Sequence, residues 1–309
     1  MAGRDCSRIK VIRRKIFVIV GATASGKSEL AVRLAKKFKG EIVSFDAMQI
    51  YRGAPILTNQ PSVKERKGIR HHLLGFLPLS KEFSAAQFSQ KAEKIIGEIL
   101  RREKTPVLVG GSGFYLKALL EGYHAPVAAN RAIRKKYQKL FQEKGSAFLY
   151  EKLRTIDRLR AKKIHPNDIY RLIRALEIYE VTGRKPSEFG KREESPLASS
   201  YTIQKIGLRL PWKILYEKID RRVEEMVKRG ALREVGRLLK KRLSPTAKKM
   251  IGFSEFSGYL KGNRSLEEAV SNIQRATRHY AKRQETWFRR EEEVRWIEQS
   301  SLTKFLHSL

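Results

Sequence analysis

A glycine-rich stretch near the start of the chain has residue types and spacing suited to phosphate chemistry. Gly21, Gly26, Lys27 and Ser28 match the pattern G-x-x-x-x-G-K-[ST]. In such a loop the glycines turn backbone N–H groups towards phosphate oxygens, and the lysine and the serine hydroxyl bind phosphate and Mg²⁺. Loops of this kind usually hold ATP or GTP, and another diphosphate is the alternative. The predicted phosphate-binding residues are Gly21, Ala22, Thr23, Ala24, Ser25, Gly26, Lys27 and Ser28.

A single carboxylate, Asp46, follows the next apolar run at residues 41–45. Enzymes that hydrolyse nucleotides usually have a second acidic strand end, which holds the metal ion and helps to orient a water. The later apolar run at residues 106–109 continues into Gly-Gly-Ser instead. A lone carboxylate beside a diphosphate suits a general base acting on an incoming nucleophile. A helix N-cap is the alternative role for Asp46, and spacing alone leaves both open.

The elements around these residues predict an α/β fold. Apolar runs at 15–20, 41–45 and 106–109 alternate with helical periodicity at 27–38, 83–102 and 113–120. From 131 to 182 the pattern is helical, and a polar connector at 185–200 precedes a predicted strand at 203–210. Helices dominate from 212 to 287, with a break at Pro245. We therefore expect a P-loop NTPase-like parallel sheet with flanking helices, interrupted by an all-helical insertion domain.

The predicted boundaries follow these changes of pattern. Residues 1–14 form a basic N-terminal arm, for which a transit peptide is the alternative. Residues 15–122 and 203–309 form the P-loop core domain. Residues 123–202 form the helical insertion.

Composition indicates a globular protein with a polyanionic partner. The 309 residues include 66 Lys and Arg against 32 Asp and Glu, a formal net charge of +34. Basic side chains gain affinity for nucleic acid by releasing counterions from its phosphates, although general solubility is an alternative explanation. The single cysteine, Cys6, excludes an internal disulfide and suits the cytoplasm. No apolar run approaches the ~20 residues of a membrane span.

Seven motifs, in order along residues 15–290, resemble those of the tRNA dimethylallyltransferase family, also called tRNA isopentenyltransferases. They are GATASGKS, SFDAMQIYRG, LVGGSGFYLKALLEG, IHPNDIYRLIRALEIYEVTG, LYEKIDRRVEEMVKRGALREV, MIGFSE and YAKRQETWFR. The first motif is generic, whereas HPND followed by the arginine-containing helix is specific. The resemblance implies transfer of a dimethylallyl group from dimethylallyl diphosphate to N6 of adenosine 37, beside the tRNA anticodon.

The resemblance also assigns roles to individual residues. Thr23 to Ser28 would line the donor diphosphate, with Mg²⁺ at Ser28. Asp46 would accept a proton from the adenine amine, and Arg222 would bind the leaving diphosphate, whose growing charge cations stabilise. Ser112 stands where the family usually has threonine, so the hydroxyl is kept. These sequences are often described as ATP-binding, although the family donor is a prenyl diphosphate.

A further set of positions is implied to contact tRNA, whose target base must leave its stack to reach a pocket. The set is Asp46, Ala47, Met48, Gln49, Arg134, Tyr170, Arg171, Arg174, Lys249, Gly252, Ser254, Lys282, Arg283 and Gln284. Ala47 replaces the usual serine, and Met250 and Ser254 also depart from the family pattern, which puts their RNA contacts in doubt. Arg171 and Arg174 have an alternative role as ion-pair partners of Glu177 or Glu180.

Three functions are compared. A tRNA prenyltransferase acting as a monomer on the anticodon stem–loop fits the motifs best. A P-loop small-molecule or nucleotide kinase is the alternative enzyme, although it lacks lid arginines and the second acidic strand end. The third hypothesis is a non-enzymatic basic RNA-binding protein that uses the loop only for phosphate contacts, and the placement of Asp46 argues against it.

Overall fold

The computed structural model describes residues 14–122, 127, 129–189 and 196–309. These residues group into two compact units. The first comprises 14–122 and 196–309, and the second comprises 127–189. The predicted basic arm, apart from Arg14, lies outside the described residues.

The first unit is built on a six-stranded parallel sheet. Its strands are β1 Lys15–Gly21, β2 Glu41–Ser44, β3 His71–His72, β4 Pro106–Val109, β5 Thr202–Arg209 and β6 Val294–Glu298. Their spatial order is β3-β2-β4-β1-β5-β6. Since all strands run the same way, their carboxyl ends meet at one edge, where ligands of such sheets bind.

Both units contain helices among their described residues. They are α1 Lys27–Lys37, α2 Val63–Arg66, α3 Ala85–Arg101, α4 Gly113–Leu120, α5 Arg131–Ile156, α6 Arg158–Ala161, α7 Ile169–Thr182, α8 Pro196–Ser200, α9 Trp212–Lys228, α10 Ala231–Leu239, α11 Phe253–Leu260, α12 Leu266–Phe288 and α13 Leu302–Ser308. Short 3-10 helices cover Pro186–Glu188, Ala247–Lys249 and Gln299–Ser301. None of these helices has the length and apolar character needed to cross a membrane.

Local sequence explains where the main helices begin and which face they bury. Ser84 caps α3 by accepting a hydrogen bond from Gln87 N, and the Gln87 side chain accepts one from Ser84 N. Helix α1 buries Leu30 and Leu34 against Phe17 of β1, in a core between helix and sheet. The spacing of four residues between the two leucines places them on one helix face.

The described residues of the second unit form helices joined by turns, with no strand among them. Its core contains Tyr137, Leu149, Leu153 and Leu172, contributed by α5 and α7. Helix α5 is kinked at Gly145, whose φ of 77° only glycine adopts without strain. The buried side chain of Asp157 accepts hydrogen bonds from Arg160 N at 2.9 Å and Ser187 N at 2.7 Å, which ties the unit's last turn to α6.

The predicted fold class, a P-loop-like parallel sheet with flanking helices, is confirmed. Four strands lie within one residue of their predicted bounds. Strands β3 and β6 and helices α8 and α13 were not predicted. Helix α8 groups with the first unit, so the second unit is shorter than the insertion of 123–202 expected from the sequence.

Candidate active site

A cavity of about 490 Å³ lies at the carboxyl ends of β1, β2 and β4 in the first unit. Polar groups of its wall come from the phosphate-binding loop, from the turn after β2 and from helices α2, α9 and α12. Apolar groups come from several elements. The polar wall includes Thr23, Lys27, Ser28, Asp46, Gln49, Glu65, Arg222 and Gln284, and the apolar wall includes Met48, Leu57, Val223, Met226, Met250 and Ile273. The cavity therefore joins a charged region to an apolar surface.

The phosphate-binding loop connects β1 directly to α1. Gly21 has φ 136° and Gly26 has φ 96°, values that disfavour side chains, and a Cβ at Gly21 would lie 2.6 Å from Leu208 O. Lys27 Nζ donates to Ala22 O at 2.5 Å, which folds the lysine back over the loop. Thr23, Ala24, Gly26, Lys27 and Ser28 line the cavity, whereas Ala22 and Ser25 line a separate cavity of about 200 Å³.

Asp46 enters the cavity wall from the turn that follows β2. Its Oδ1 accepts hydrogen bonds from Met48 N at 2.9 Å and Gln49 N at 3.3 Å. This turn is not the start of a helix, so the carboxylate orders its own loop and also lines the cavity. The residue after β4 packs closely against the residue before Asp46, because a Cβ at Gly110 would lie only 2.5 Å from Phe45 O.

Ser112 supports the Asp46 turn from α4. Its Oγ accepts a hydrogen bond from Ala47 N at 2.8 Å. The Ser112 hydroxyl thus holds the residue after Asp46, although Ser112 itself is not among the cavity-lining residues.

Arg222 reaches the phosphate-binding loop from α9. The helix buries Leu215, Ile219, Val223 and Met226 at helical spacing, which turns the adjacent Arg222 towards the cavity. Its guanidinium donates to Thr23 Oγ1 at 3.0 Å. A cation from a residue far along the chain is therefore held against the loop.

Burial shifts the pKa values of Lys27, Asp46 and Arg222 in the cavity wall. The pKa of Lys27 falls to about 7, chiefly because of burial and then because of Arg222, while Asp46 opposes the fall. Burial raises the pKa of Asp46, and hydrogen bonds from Met48 and Gln49 and the charge of Lys27 oppose it. Burial also lowers the pKa of Arg222, against the charge of Glu65. Bound diphosphate would favour the charged forms of Lys27 and Arg222.

Among the predicted RNA-contacting residues of the first unit, Asp46, Met48, Gln49 and Gln284 line the cavity. Ala47 is half-buried beside Ser112, and Gly252 is buried at the start of α11. Lys249, Ser254, Lys282 and Arg283 are exposed. These four side chains therefore face solvent, whereas Gln284 is 4% exposed and forms hydrogen bonds within the protein.

In the second unit, the fully buried Glu177 organises two of the predicted RNA-contacting arginines. Its carboxylate accepts from Arg134 Nε at 2.9 Å, Arg174 Nη1 at 2.5 Å and Asn130 N at 2.6 Å. The pairing of Arg174 with Glu177 is one of the alternatives that the sequence left open. Both arginines thus have a structural partner within the unit.

The other two predicted RNA-contacting residues of this unit are more exposed. Arg171 pairs with Asp168 at 3.3 Å, and Tyr170 is 69% exposed, with the Arg134 guanidinium 6.0 Å from its ring centre. An exposed aromatic ring beside cations is suited to stacking on a base.

The cavity suits Mg²⁺ better as a companion of phosphate than as a resident metal. Among the described residues no group of three or more His, Cys, Asp or Glu side chains could hold a metal ion. The exposed Ser28 hydroxyl at the cavity wall supplies one oxygen ligand. Mg²⁺ often takes few protein ligands and completes its shell with phosphate oxygens and water, so this site fits a metal that arrives with a diphosphate.

Tyr280 and Glu65 are among the cavity residues that were not predicted as site residues. Tyr280 lies one helical turn before Gln284, and its pKa is raised by burial and by the charge of Asp46. Tyr280 opens the YAKRQETWFR motif, so the sequence contained a signal for it. Glu65 of α2 lines the cavity near Arg222, and no motif marked it.

Comparison with known proteins identifies the family. The family model described as IPP transferase matches residues 49–291. The chain belongs to this family. Its relatives include "tRNA dimethylallyltransferase 2" of Geotalea uraniireducens, 45% identical over 92% of both chains. Another is the tRNA dimethylallyltransferase of Thermoanaerobacter sp., 43% identical over 92% of this chain and 91% of the relative.

Solved structures of similar proteins agree with this assignment. A eukaryotic dimethylallyltransferase acting on tRNA superposes with a TM-score of 0.80 and 32% identity, covering 94% of this chain and 75% of the other. The tRNA isopentenylpyrophosphate transferase of Bacillus halodurans gives a TM-score of 0.69 and 36% identity, covering 96% and 95%. The fold and the family assignment thus rest on nearly the whole chain.

Proposed function

We propose that this protein moves a dimethylallyl group from dimethylallyl diphosphate to N6 of adenosine 37 in tRNA. The observation that carries the proposal is the single cavity that contains the phosphate-binding loop, Arg222 and Asp46. In this cavity Lys27 and Arg222 are suited to bind a leaving diphosphate, and Asp46 is suited to accept a proton from the nucleophile. Relatives that match 92% of the chain are tRNA dimethylallyltransferases, and this supports the same substrates here.

The donor diphosphate binds to the loop at the start of α1. Lys27 leaves Ala22 O for phosphate oxygens, and Arg222 next to Thr23 binds the same group. Both cations oppose the negative charge that grows on the diphosphate as the allylic C–O bond breaks. Mg²⁺ at Ser28 would supply further charge neutralisation there.

The acceptor amine enters from the side of Asp46. The bond that forms joins adenine N6 to the allylic carbon, the bond that breaks joins that carbon to the diphosphate oxygen, and the N6 proton goes to Asp46. Met48 N and Gln49 N hold the Asp46 carboxylate in place for this transfer. A base held before the reaction begins avoids the cost of reorganisation during it.

The tRNA binds through its anticodon stem–loop. The net charge of +34 and the exposed Lys249, Lys282 and Arg283 support a polyanionic partner. The second unit presents Tyr170 and Arg171 in its exposed surface. We propose that the protein acts as a monomer, because one chain supplies every group named here, and that it acts in the cytoplasm.

Labelled substrates test the proposal against the kinase alternative, which the comparisons do not favour. The protein is incubated with Mg²⁺, an anticodon stem–loop and either labelled dimethylallyl diphosphate or γ-labelled ATP. The expected result is label from the prenyl donor in N6-(dimethylallyl)adenosine after digestion to nucleosides. Phosphate transfer from ATP without prenyl transfer would overturn the proposal.

A further inference from the structure

Gln284 connects the phosphate-binding loop to the turn after β4. Its Oε1 accepts from Thr23 N at 2.8 Å, and its Nε2 donates to Gly111 O at 3.0 Å. These two hydrogen bonds, called the Gln284 bridge below, join segments that are 261 and 173 residues from Gln284 in the chain. A glutamine amide accepts through its oxygen and donates through its nitrogen, so the residue type is matched to the two contacts.

The bridge has little freedom to move. Gln284 is 4% exposed on α12, a helix of 23 residues. Gly111 lies so close that a Cβ there would stand 2.0 Å from Gln284 Nε2. The distance from loop to turn is therefore set by a buried side chain on a regular helix, which is more rigid than a contact between two loops.

Each end of the Gln284 bridge lies next to residues that hold a group of the proposed reaction, Arg222 at one end and Asp46 at the other. At one end, Thr23 also receives the hydrogen bond of Arg222 through Oγ1. At the other end, Ser112, the residue after Gly111, accepts from Ala47 N beside Asp46. The bridge thus links the donor side of the cavity to the acceptor side.

We propose that Gln284 is a positioning residue, which fixes the separation between the donor diphosphate and the Asp46 carboxylate. This inference rests on the proposed prenyl transfer and goes beyond it, because the resemblance implied an RNA contact for Gln284. Loss of the bridge leaves both substrates bound but misplaced relative to each other. Misplacement of reacting atoms by about 1 Å is sufficient to slow a reaction about 100-fold.

The test replaces Gln284 with methionine, which has a similar size but lacks both amide functions. Gln274→Met, the same change ten residues earlier on α12 and outside the cavity wall, is the matched control. For Gln284→Met we expect kcat to fall about 100-fold, while the KM for dimethylallyl diphosphate and the Kd for the anticodon stem–loop change less than about threefold. The control is expected to keep the wild-type kcat.

Contrary outcomes are distinguishable. A weaker Kd for RNA with unchanged kcat would make Gln284 an RNA contact and overturn the proposal. An unchanged kcat and Kd would overturn it as well. If the wild type transfers no prenyl group, the proposed function fails, whereas an active wild type with an equally active Gln284→Met variant refutes only the positioning role.

A second variant removes the bridge without changing Gln284. Gly111→Ala places a methyl group where the Gln284 amide stands, and the flexible end of the glutamine can move away. We expect kcat to fall as in Gln284→Met, and the double variant to be no slower than either single variant, because both remove one interaction. A wild-type kcat in Gly111→Ala, or losses that multiply in the double variant, would contradict the proposal.

Discussion

Replacement of Asp46 by asparagine separates its chemical role from its structural role. Oδ1 of Asp46 accepts from Met48 N and Gln49 N, and an asparagine Oδ1 keeps both hydrogen bonds. What asparagine loses is the negative charge and the ability to accept the N6 proton. The turn after β2 is therefore expected to stay folded while the general base disappears.

The expected loss follows from the size of general-base catalysis. A positioned base contributes about 10²–10⁴-fold to rate, or about 2.7–5.5 kcal/mol of activation free energy at about 1.36 kcal/mol per tenfold. Asp46→Ala removes the base and also both hydrogen bonds of the turn. Each hydrogen bond is worth about 1 kcal/mol, so this variant should also lose about 2 kcal/mol of stability.

The assay is single-turnover transfer from labelled dimethylallyl diphosphate to an anticodon stem–loop, with thermal unfolding measured in parallel. We expect Asp46→Asn to retain the wild-type Tm and RNA affinity and to lose at least about 100-fold in rate. Near-normal turnover of Asp46→Asn would refute the assignment of Asp46 as the base. A rate loss matched by a loss of RNA binding would refute it too.

Other variants and conditions test the remaining groups. Arg222→Ala removes the donor to Thr23 and is expected to raise the KM for dimethylallyl diphosphate about 10- to 100-fold at constant RNA Kd; equal changes in both constants would reassign Arg222. Because the pKa of Lys27 is about 7, its charge is lost as pH rises, so kcat/KM for the donor should fall above neutral pH; a profile flat to about pH 9 would contradict this. Glu177→Ala leaves two guanidinium groups without their acceptor and should cost about 3 kcal/mol of unfolding free energy in urea titrations; a cost below about 1 kcal/mol would show that water replaces it.

Three of the four strands that the sequence predicted, β1, β2 and β4, are buried along nearly their full length, and apolar β-formers lie at their centres. The fourth, β5, mixes apolar residues with Gln204 and Lys205. Strand β3 has two residues, too few for any periodicity. Strand β6 lies at the sheet edge, where exposed Arg295 and Glu298 interrupt its apolar residues, so it has no continuous apolar run.

The site was predictable only where its residues are local in the chain. The phosphate-binding loop and Asp46 follow from spacing beside strands, whereas Arg222 and Ser112 came from the family resemblance. The Gln284 bridge depends on distant segments, and glutamine in a helix has no pattern of its own. The sequence left ion pairs of Arg171 and Arg174 with Glu177 or Glu180 open. Arg174 pairs with Glu177, whereas Arg171 pairs with Asp168, the N-cap of the same helix.

The central claim is that a diphosphate bound by the loop leaves as Asp46 takes the proton of an adenine amine. The most direct measurement counts both products of one reaction that contains tRNA, dimethylallyl diphosphate and ATP. The account predicts one diphosphate released for each adenosine that gains a dimethylallyl group, at a rate independent of ATP hydrolysis. Diphosphate release without modified adenosine, or modification that requires ATP cleavage, would contradict it.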